Sequence, residues 1–502
     1  MSKFLLSLIF LLAIFFRFNN LNWDLRFHLH PDERFLTMVG NAMKIPETFS
    51  DYLDPNTSTF NPANVGFKFY VYGVFPVILN KIVAVIAGND DYNAFTFQGR
   101  FLSALADLLV VFLVFKTVEL LEKKYKLRHK FKYWAAFFYA IAVLPIQLSH
   151  FFAVDTFLNL FMFASFYCIL KSRETLSSEF KYILFSAVFF GLVIASKITA
   201  FFILPLNLLI IALSTGDRRT RLLGMLLFFL TVYVTLRFAN PYMFENSNFF
   251  DPTPNKIFVE NLQSLKSLEG KDIWYPPGIQ WINKLPVIFS LVNLAIFGVG
   301  ISYFVFILIG TFSILRLPSR RLFIGILFWV IIVFFYQASR FSQAMRYLVV
   351  LYPFLAIFSA YGMLKVKNNT LKVISIILLL IWPLMFSSIY LNKHSRVQAS
   401  EWIYQNLPGG SIILSEHWDD ALPLSMDKGR RYTVKELPVF APDDKEKWNQ
   451  MNKLLNQADY YVLSSNRGWG SIPSVPQKYP VMSKFYRDLL DGKTRYKKIK
   501  EL

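Results

Sequence analysis

Residues 100–150 read RFLSALADLLVVFLVFKTVELLEKKYKLRHKFKYWAAFFYAIAVLPIQLSH, and this stretch decides the class of fold. Two apolar runs, 100–118 and 133–150, are each close to the length that crosses a bilayer as a helix. The segment between them holds six basic side chains: Lys123, Lys124, Lys126, Arg128, Lys130 and Lys132. Because short basic loops stay on the cytoplasmic side of a membrane, the stretch predicts a transmembrane hairpin whose connection lies inside.

The composition of the whole chain agrees with a membrane protein. Of its 502 residues, 55% are hydrophobic and only 17% are charged, and the mean hydropathy is +0.40. A soluble protein of this length carries more charge. The net charge of +20 would suggest nucleic acid in a soluble protein, but here most Lys and Arg lie in short loops between apolar runs. We therefore expect a lipid bilayer and no nucleic acid as partner.

Apolar runs and basic flanks predict about eleven transmembrane helices, with the N-terminus in the cytoplasm. The first run resembles a signal peptide, but no small-residue cleavage site follows it, so we interpret it as the first span. The predicted spans are 4–19, 100–118, 133–150, 156–170, 182–196, 198–213, 222–238, 291–315, 322–336, 347–364 and 373–390.

Two long outer segments and a polar tail complete the predicted organisation. The outer segments are 20–99, which includes an amphipathic interfacial stretch at 69–87, and 239–285. Residues 1–390 form the membrane module. Residues 391–502 are predicted to form a small extracytoplasmic α/β domain, with helices at 396–406 and 447–457 and strands at 411–415 and 460–464.

Acidic residues at outer helix ends are the first candidate site. His30-Pro31-Asp32-Glu33 follows the first span, and adjacent acids at a membrane boundary are costly unless they are solvated or functional. A carboxylate there could act as a general base on a hydroxyl, and a solvated turn is the alternative. Asp155 is predicted on the same side, and it could also simply cap the helix that follows.

Cations on the outer side are the second candidate site. Lys197, Arg100, Arg340 and Arg346 lie at predicted outer helix ends, against the positive-inside trend. A lysine there could snorkel to the interface. A phosphate-bearing lipid in the outer leaflet would explain the whole set through charge-assisted hydrogen bonds.

Three other features have weaker functional interpretations. Residues 274–281 (WYPPGIQW) could stack on a sugar through residues such as Tyr275, or belong to the interfacial aromatic belt. Residues 416–420 and 464–467 follow the two predicted strands, where α/β domains often place sites, although surface loops are the simpler interpretation. Asp107 lies inside a span and is interpreted as a hydrogen-bonding residue of the bundle.

These motifs together resemble the lipid-carrier-dependent glycosyltransferases of the GT-C fold, of the bacterial protein-mannosyltransferase-like and aminoarabinose-transferase-like group (glycosyltransferase family 39 type). The matching motifs, in chain order, are Pro31-Asp32-Glu33, Gly99-Arg100, Ala153-Val154-Asp155, Ser196-Lys197, Tyr275-Pro276-Pro277 and Arg346-Tyr347 through Tyr352-Pro353. The resemblance covers nearly the whole membrane part. It implies inverting transfer of a sugar from a polyprenyl-phosphate donor to a protein, glycan or lipid acceptor at the outer face of the plasma (inner) membrane.

The resemblance also implies roles for individual residues. Asp32 would be the general base, Glu33 would orient it or bind a divalent metal ion, and Asp155 would support the acceptor. The donor phosphate would be held by Arg100, Lys197, Arg346 and, as a substitute for a family lysine, Lys68. Further substrate contacts are expected from His30, Tyr275, Gln280 and Arg340.

Two other classes of function remain open at this point. A lipid or polysaccharide transporter would need charged or discontinuous helices at the midplane, and the sequence offers little beyond Asp107. A non-catalytic envelope assembly protein would use the tail to bind a partner. The sequence has no P-loop, GxSxG, HExxH or CxxC motif, which argues against ATP-driven transport, serine hydrolysis and zinc proteolysis.

Overall fold

The protein is described here by a computed structural model that covers residues 2–174, 179–198, 201–213, 217–270, 272, 275–317, 320–426 and 429–502. Helices dominate up to residue 391, and a small sheet lies in the remainder. The helices of the first part are α1 (Ser2–Phe18), α2 (Pro31–Ala42), α3 (Phe49–Leu53), α4 (Phe75–Ile86), α5 (Tyr92–Tyr125), α6 (Phe131–Ala140), α7 (Val143–Ser149), α8 (Val154–Lys171), α9 (Glu179–Ser196), α10 (Ile203–Ala212), α11 (Arg218–Ala239), α12 (Lys256–Ser267), α13 (Pro276–Ile279), α14 (Ile288–Asn293), α15 (Ile301–Ile314), α16 (Arg320–Ala338), α17 (Tyr352–Met363) and α18 (Asn369–Ser387).

Among the described residues, seven helices are long and apolar enough to cross a membrane, and nine if each of two bent pairs is one span. The bent pairs are α6 with α7 and Ile288–Gly298 with α15. The other two predicted spans coincide with α1, which has 17 residues, and with the shorter apolar helix α10. Each of the eleven predicted segments contains a helix in its described part, although four of them are bent or short and residues 199–200 of the predicted span 198–213 lie outside the described residues.

The outer faces of these helices suit a lipid environment. Phe312, Phe328 and Ile377 are each more than half exposed, and they lie on α15, α16 and α18. Extended apolar surface of this kind is rare on soluble proteins and marks a surface that another apolar phase covers.

The bundle interior holds a buried ion pair between Arg17 and Asp107. Arg17 Nε lies 2.7 Å from Asp107 Oδ2, and the Tyr139 hydroxyl, which donates to Asp107, accepts from Asn159 Nδ2 at 2.8 Å. An ionised group inside a membrane is tolerated when it is paired and faces the bundle. Asp107 is therefore the hydrogen-bonding residue that its position in a span predicts.

The two long outer segments are more ordered than the sequence patterns indicate. Residues 20–99 contain α2, α3 and α4 as well as the start of α5, and the predicted interfacial stretch forms α4. Residues 239–285 contain α12 and the short helix α13. The first segment thus presents the amino end of α2 as a fixed element rather than as a loop.

The C-terminal part is an α/β domain, as predicted. Its elements are α19 (Ser395–Asn406), β1 (Ile412–Glu416), β2 (Thr433–Leu437), α20 (Lys445–Gln457), β3 (Tyr460–Tyr461) and α21 (Pro480–Leu490). The strands are parallel in the order β2-β1-β3, and Leu414 on β1 lies opposite Lys435 and Tyr461. Sequence patterns missed β2, because four of its five residues keep some solvent exposure and the strand lacks an apolar alternation.

The second outer segment packs into this domain. Ile279 of α13 belongs to the hydrophobic core built by β1, α20 and α21. Asn283 donates a side-chain hydrogen bond to the Ser474 carbonyl. The residues that follow Tyr275 therefore fix this aromatic segment against the C-terminal domain.

Candidate active site

The amino end of α2 positions the two adjacent acids. Pro31 occupies the first turn, where its missing N–H costs nothing, and the His30 ring Nδ1 accepts from the Glu33 N–H at 3.3 Å as the helix cap. Asp32 and Glu33 follow in the first turn, where the helix dipole favours negative charge. Because consecutive helical residues point to different sides, the two carboxylates enter different surroundings.

The Glu33 carboxylate is fully buried against Arg100. Arg100 Nε donates to Glu33 Oε2 at 2.9 Å, and its terminal nitrogens donate to Glu33, to both oxygens of Asp24 (3.0 and 2.8 Å) and to the Leu21 carbonyl (2.7 Å). The Phe152 N–H also donates to Glu33 Oε2 at 2.7 Å. All five N–H groups of Arg100 are thus used. Arg100 therefore holds α2 against α5. It has no N–H group left to donate to the donor phosphate, in contrast to the sequence-based prediction.

The described residues around Glu33 do not form a ligand set for the predicted metal ion. Its oxygens already accept bonds from Arg100 and Phe152, and they lie inside the protein. Across the described ranges, no group of three or more His, Cys, Asp or Glu side chains is arranged to hold a metal ion. Glu33 therefore fits the orienting role better than the metal-binding one.

The Asp32 carboxylate, by contrast, is paired with Arg346 at the edge of a cavity. Its side chain is 33% exposed, and that of Arg346 is 29% exposed. Burial by itself raises the pKa of Asp32, but the charge and hydrogen bond of Arg346 and the charge of Lys197 outweigh it, and the pKa lies below its ordinary value. Asp32 is consequently ionised at neutral pH, as a general base must be.

Three cations surround the ring of Tyr347. Lys197 Nζ lies 5.1 Å from the ring centroid, and the guanidinium carbons of Arg340 and Arg346 lie 5.6 and 5.8 Å from it. Cations within about 6 Å of an aromatic ring are attracted to its face. The ring thus lies near three cations: Lys197, which directly follows α9, and Arg340 and Arg346 from the segment after α16.

Each cation of this cluster has its own carboxylate partner. Lys197 pairs with Asp155 at 2.8 Å, Arg340 pairs with Glu269 at 2.5 Å, and Arg346 pairs with Asp32. The six side chains are formally neutral together. A ligand phosphate would therefore enter by taking cations away from protein carboxylates.

The cluster lines an open cavity with mixed character. Apolar side chains, including Leu158 of α8, Phe202 just before α10 and Leu262 of α12, share the lining with Asp155, Lys197, Glu269, Arg340 and Arg346. Two buried polar atoms here have no hydrogen-bond partner among the described residues: Arg346 Nε and Gln337 Oε1. Buried groups of this kind are costly unless a ligand or water satisfies them.

The remaining predicted residues lie at or beyond the edge of this cavity. His30 stacks on Phe151 at 4.2 Å, and burial lowers its pKa to about 4, so the ring is neutral. Tyr275 is near enough to Asp32 for that charge to add to the effect of burial and raise the pKa of the phenol. Gln280 is exposed and donates to the Pro277 carbonyl at 2.8 Å. Lys68 lies in a second cavity, apart from the cation cluster.

Sequence reasoning assigned no role to Tyr347, Glu269 or Gln337. Tyr347 was part of the matched motif, so its position beside Arg346 was a usable signal. Glu269 and Gln337 carried none, because only the fold brings α12 and α16 to the same cavity.

The C-terminal domain also reaches this region. Asp420 pairs with Arg34 of α2 at 2.9 Å and with Arg396 of α19 at 2.8 Å. Trp418 packs edge-on against Tyr275, with 5.7 Å between ring centroids. The segment 416–420 is therefore an interface between the domain and the membrane part, rather than a free surface loop.

Part of the chain is similar to a known protein family in sequence, and more of it is similar to solved structures in fold. The family model of dolichyl-phosphate-mannose-protein mannosyltransferases matches residues 74–244, about a third of the chain, which include Asp155 and Lys197 but neither Asp32 nor Arg346. Among curated protein sequences there is no significant match.

Solved structures match more of the chain. The oligosaccharyltransferase of Archaeoglobus fulgidus, tethered to an acceptor peptide, aligns at 14% identity over 96% of this chain and 71% of that chain, with a TM-score of 0.55. The same enzyme with an inhibitory peptide and a dolichol-phosphate aligns at 14% identity over 83% of this chain, with a TM-score of 0.54. In that second comparison the protein spans only 62% of the archaeal enzyme's chain.

ArnT from Cupriavidus metallidurans in the apo state aligns at 11% identity over 95% of this chain and 89% of that chain, with a TM-score of 0.51. At such identities, a structural match is evidence of the fold and not of the reaction. The protein is therefore a multi-pass membrane protein with the GT-C glycosyltransferase fold.

Proposed function

We propose that the protein is a membrane glycosyltransferase that moves a sugar from a polyprenyl-phosphate donor to an acceptor hydroxyl, with inversion at the sugar carbon. The observation that carries the proposal is the Asp32–Arg346 pair beside Lys197 and Arg340 around one ring. The matching family is described by a dolichyl-phosphate-linked mannose donor, and the archaeal relative was solved with dolichol-phosphate. We place the reaction at the outer face of the plasma membrane, with the N-terminus in the cytoplasm.

The cation cluster supplies the site for the donor phosphate. Arg346 Nε is buried without an acceptor in the described part of the chain, and the hydrogen-bond acceptor of its guanidinium there is Asp32. A phosphate would accept from Arg346 and Lys197 through charge-assisted hydrogen bonds. The apolar lining from α8, α12 and the residue just before α10 suits the first isoprene units of such a lipid.

Asp32 is the general base of the proposed reaction. The acceptor hydroxyl gives its proton to the Asp32 carboxylate while its oxygen bonds to the anomeric carbon. The bond from that carbon to the phosphate oxygen breaks, and its electron pair stays on the lipid phosphate. Arg346, Lys197 and Arg340 stabilise the negative charge that develops there, because fixed cations need no reorganisation when the charge appears.

Asp155 and Glu33 are positioning residues in this scheme. Asp155 holds Lys197 from α8, 2.8 Å away, and so fixes a cation that would otherwise snorkel away. Glu33 anchors α2 to Arg100 and thereby fixes the direction in which Asp32 points. Neither residue needs to touch the reacting atoms.

The test is a donor panel with purified protein in nanodiscs. Polyprenyl-phosphate hexoses and pentoses are supplied, and release of polyprenyl phosphate and sugar transfer are both measured. We expect wild type to turn over at least one donor and Asp32→Asn to lose transfer by several orders of magnitude. The matched control is Asp491→Asn, which alters an exposed carboxylate bonded only to Lys493 among the described residues.

Two results would contradict the proposal. Normal transfer by folded Asp32→Asn protein would remove the base from the mechanism. Silence of folded wild type across the whole donor panel would favour the transporter or the assembly protein instead.

A further inference from the structure

A second cavity lies between the two long outer segments, next to the cation cluster. Its walls come from residues 61–74 of the first segment and residues 240–261 of the second. Tyr72 lines both cavities, so its side chain separates them. The chemistry of its lining differs from that of the cavity beside the cation cluster.

Uncharged hydrogen-bonding groups supply most of the polar lining of the second cavity. Asn240 is only 3% exposed, and its side-chain amide makes no hydrogen bond within the described residues. Asn255 uses its oxygen to cap α12 at 3.2 Å, and its amino group has no partner among the same residues. Asn261 uses its amino group on the Lys68 carbonyl at 2.8 Å, and its oxygen is likewise unused. The cavity thus offers both donors and acceptors without a fixed internal network.

Aromatic rings form the rest of the wall and connect the cavity to α2. Phe67, Tyr70 and Tyr72 pack around Phe35, at centroid distances of 5.8, 6.0 and 6.4 Å. Phe35 follows Asp32 by three residues, so both side chains lie on neighbouring turns of one helix face. The Tyr72 hydroxyl has no hydrogen-bond partner in the described ranges, and the charge of Asp32 contributes to raising the pKa of this phenol.

We propose that this second cavity binds a hydroxyl-rich carbohydrate that serves as the acceptor. Sugar hydroxyls both donate and accept, which matches the three amides with unused groups on the wall from the second segment, and sugar faces pack on the aromatic rings of the first segment. The inference rests on the proposed function, because it supplies the hydroxyl that Asp32 would deprotonate. Lys68 at the exposed side of the cavity would tolerate a neutral or an acidic sugar.

A peptide acceptor fits this cavity less well. Extended peptides are commonly held by an exposed strand edge, which supplies a row of backbone partners. The described parts of the two outer segments contain only one isolated bridge, between Phe244 and Pro254. The unused side-chain groups are amides and a phenol, which suit hydroxyl partners.

The test measures saccharide binding by saturation-transfer NMR on the full-length protein in nanodiscs. The probes are mannotriose, maltotriose, cellotriose and chitotriose, with a Ser- and Thr-containing pentapeptide in a separate arm. Asn240→Ala removes the free amide, and Tyr72→Phe removes only a hydroxyl while keeping the ring. Asn89→Ala is the matched control, since Asn89 is exposed and lines neither cavity.

We expect at least one trisaccharide to bind to wild type and to Asn89→Ala, with a signal at least tenfold weaker in Asn240→Ala and reduced in Tyr72→Phe. Equal signals from wild type and both cavity variants would overturn the assignment. Absence of any saccharide signal would overturn it as well, and peptide binding that depends on Asn240 would replace it with a peptide acceptor.

The donor assay separates this inference from the proposed function. Release of polyprenyl phosphate that needs Asp32, together with failed saccharide binding, would overturn the second cavity alone. Saccharide binding that needs Asn240, without turnover of any donor, would support the carbohydrate site and overturn the transferase.

Discussion

The two acids at the start of α2 are neighbours in sequence, but they lie in opposite environments. Glu33 is fully buried, and its partner Arg100 has every N–H group occupied. Asp32 is a third exposed, and its partner Arg346 keeps a buried Nε without an acceptor among the described residues. A pair whose N–H groups all have acceptors cannot bind a ligand through them. A pair at a cavity that keeps an N–H group without an acceptor can. The comparison assigns structure to one Arg–carboxylate pair and chemistry to the other.

The largest expected effect comes from breaking the buried pair. Arg100→Met leaves the carboxylates of Asp24 and Glu33 buried without their cation. Removing one partner of a buried ion pair costs about 3–5 kcal/mol, so we expect a clear drop in Tm and in the yield of monodisperse protein. Thermal unfolding in detergent measures this effect. Arg346→Met, the matched change in the pair that is about a third exposed, should unfold close to wild type, and equal losses in both variants would remove the distinction.

The next effect concerns ligand binding. Arg346→Met should weaken binding of polyprenyl phosphate by roughly 10- to 100-fold, because a hydrogen bond to a charged group contributes about 1.5–3 kcal/mol. Titration of the lipid phosphate into protein in nanodiscs measures the change in Kd. Arg316→Met, an exposed arginine at the predicted inner side, is the control. Unchanged affinity in Arg346→Met would show that this pair is structural too.

The pH dependence of transfer sharpens the same comparison. In wild type the pKa of Asp32 is below its ordinary value, so the carboxylate is ionised and transfer should hold until the pH falls through that lowered pKa. In Arg346→Met the attraction is lost and burial remains, so the acid limb should move to higher pH. Rates are compared with each variant's own plateau, and circular dichroism checks folding at each pH.

Arg340→Met provides the control for the pH experiment. Arg340 belongs to the cation cluster, but it pairs with Glu269 and not with Asp32. Its removal should lower the plateau and leave the acid limb in place. A shift of the limb in this variant would mean that the whole cluster, rather than the one pair, sets the pKa of Asp32.

The smallest expected effect concerns the ring that gathers the cations. Tyr347→Phe keeps the aromatic face and should keep the KM for the donor within about twofold. Tyr347→Leu removes the face, and since a cation–π contact contributes about 0.5–2 kcal/mol, we expect KM to rise by roughly 2- to 30-fold. Steady-state kinetics on the best donor measures both variants. Equal KM values for Tyr347→Phe and Tyr347→Leu would show that the ring contributes only apolar packing.

Sequence patterns alone predict the membrane class, the positions of the apolar helices and most of the small α/β domain. Those features depend on runs of neighbouring residues, since the length of an apolar run and the charge of its flanks act locally. The sequence also named Asp32, Asp155, Lys197, Arg340 and Arg346, which the fold brings to one region, although their separate roles stay predictions.

Which arginine each acid of Asp32-Glu33 meets depends on the fold. The partners lie 67 and 314 residues away in the chain, and no local pattern specifies such contacts. Burial then made one pair saturated and left the other at a cavity, because the cost of an unpaired charge depends on its distance from solvent. The second cavity forms where two outer segments meet that are distant in sequence, so no local pattern predicts it either.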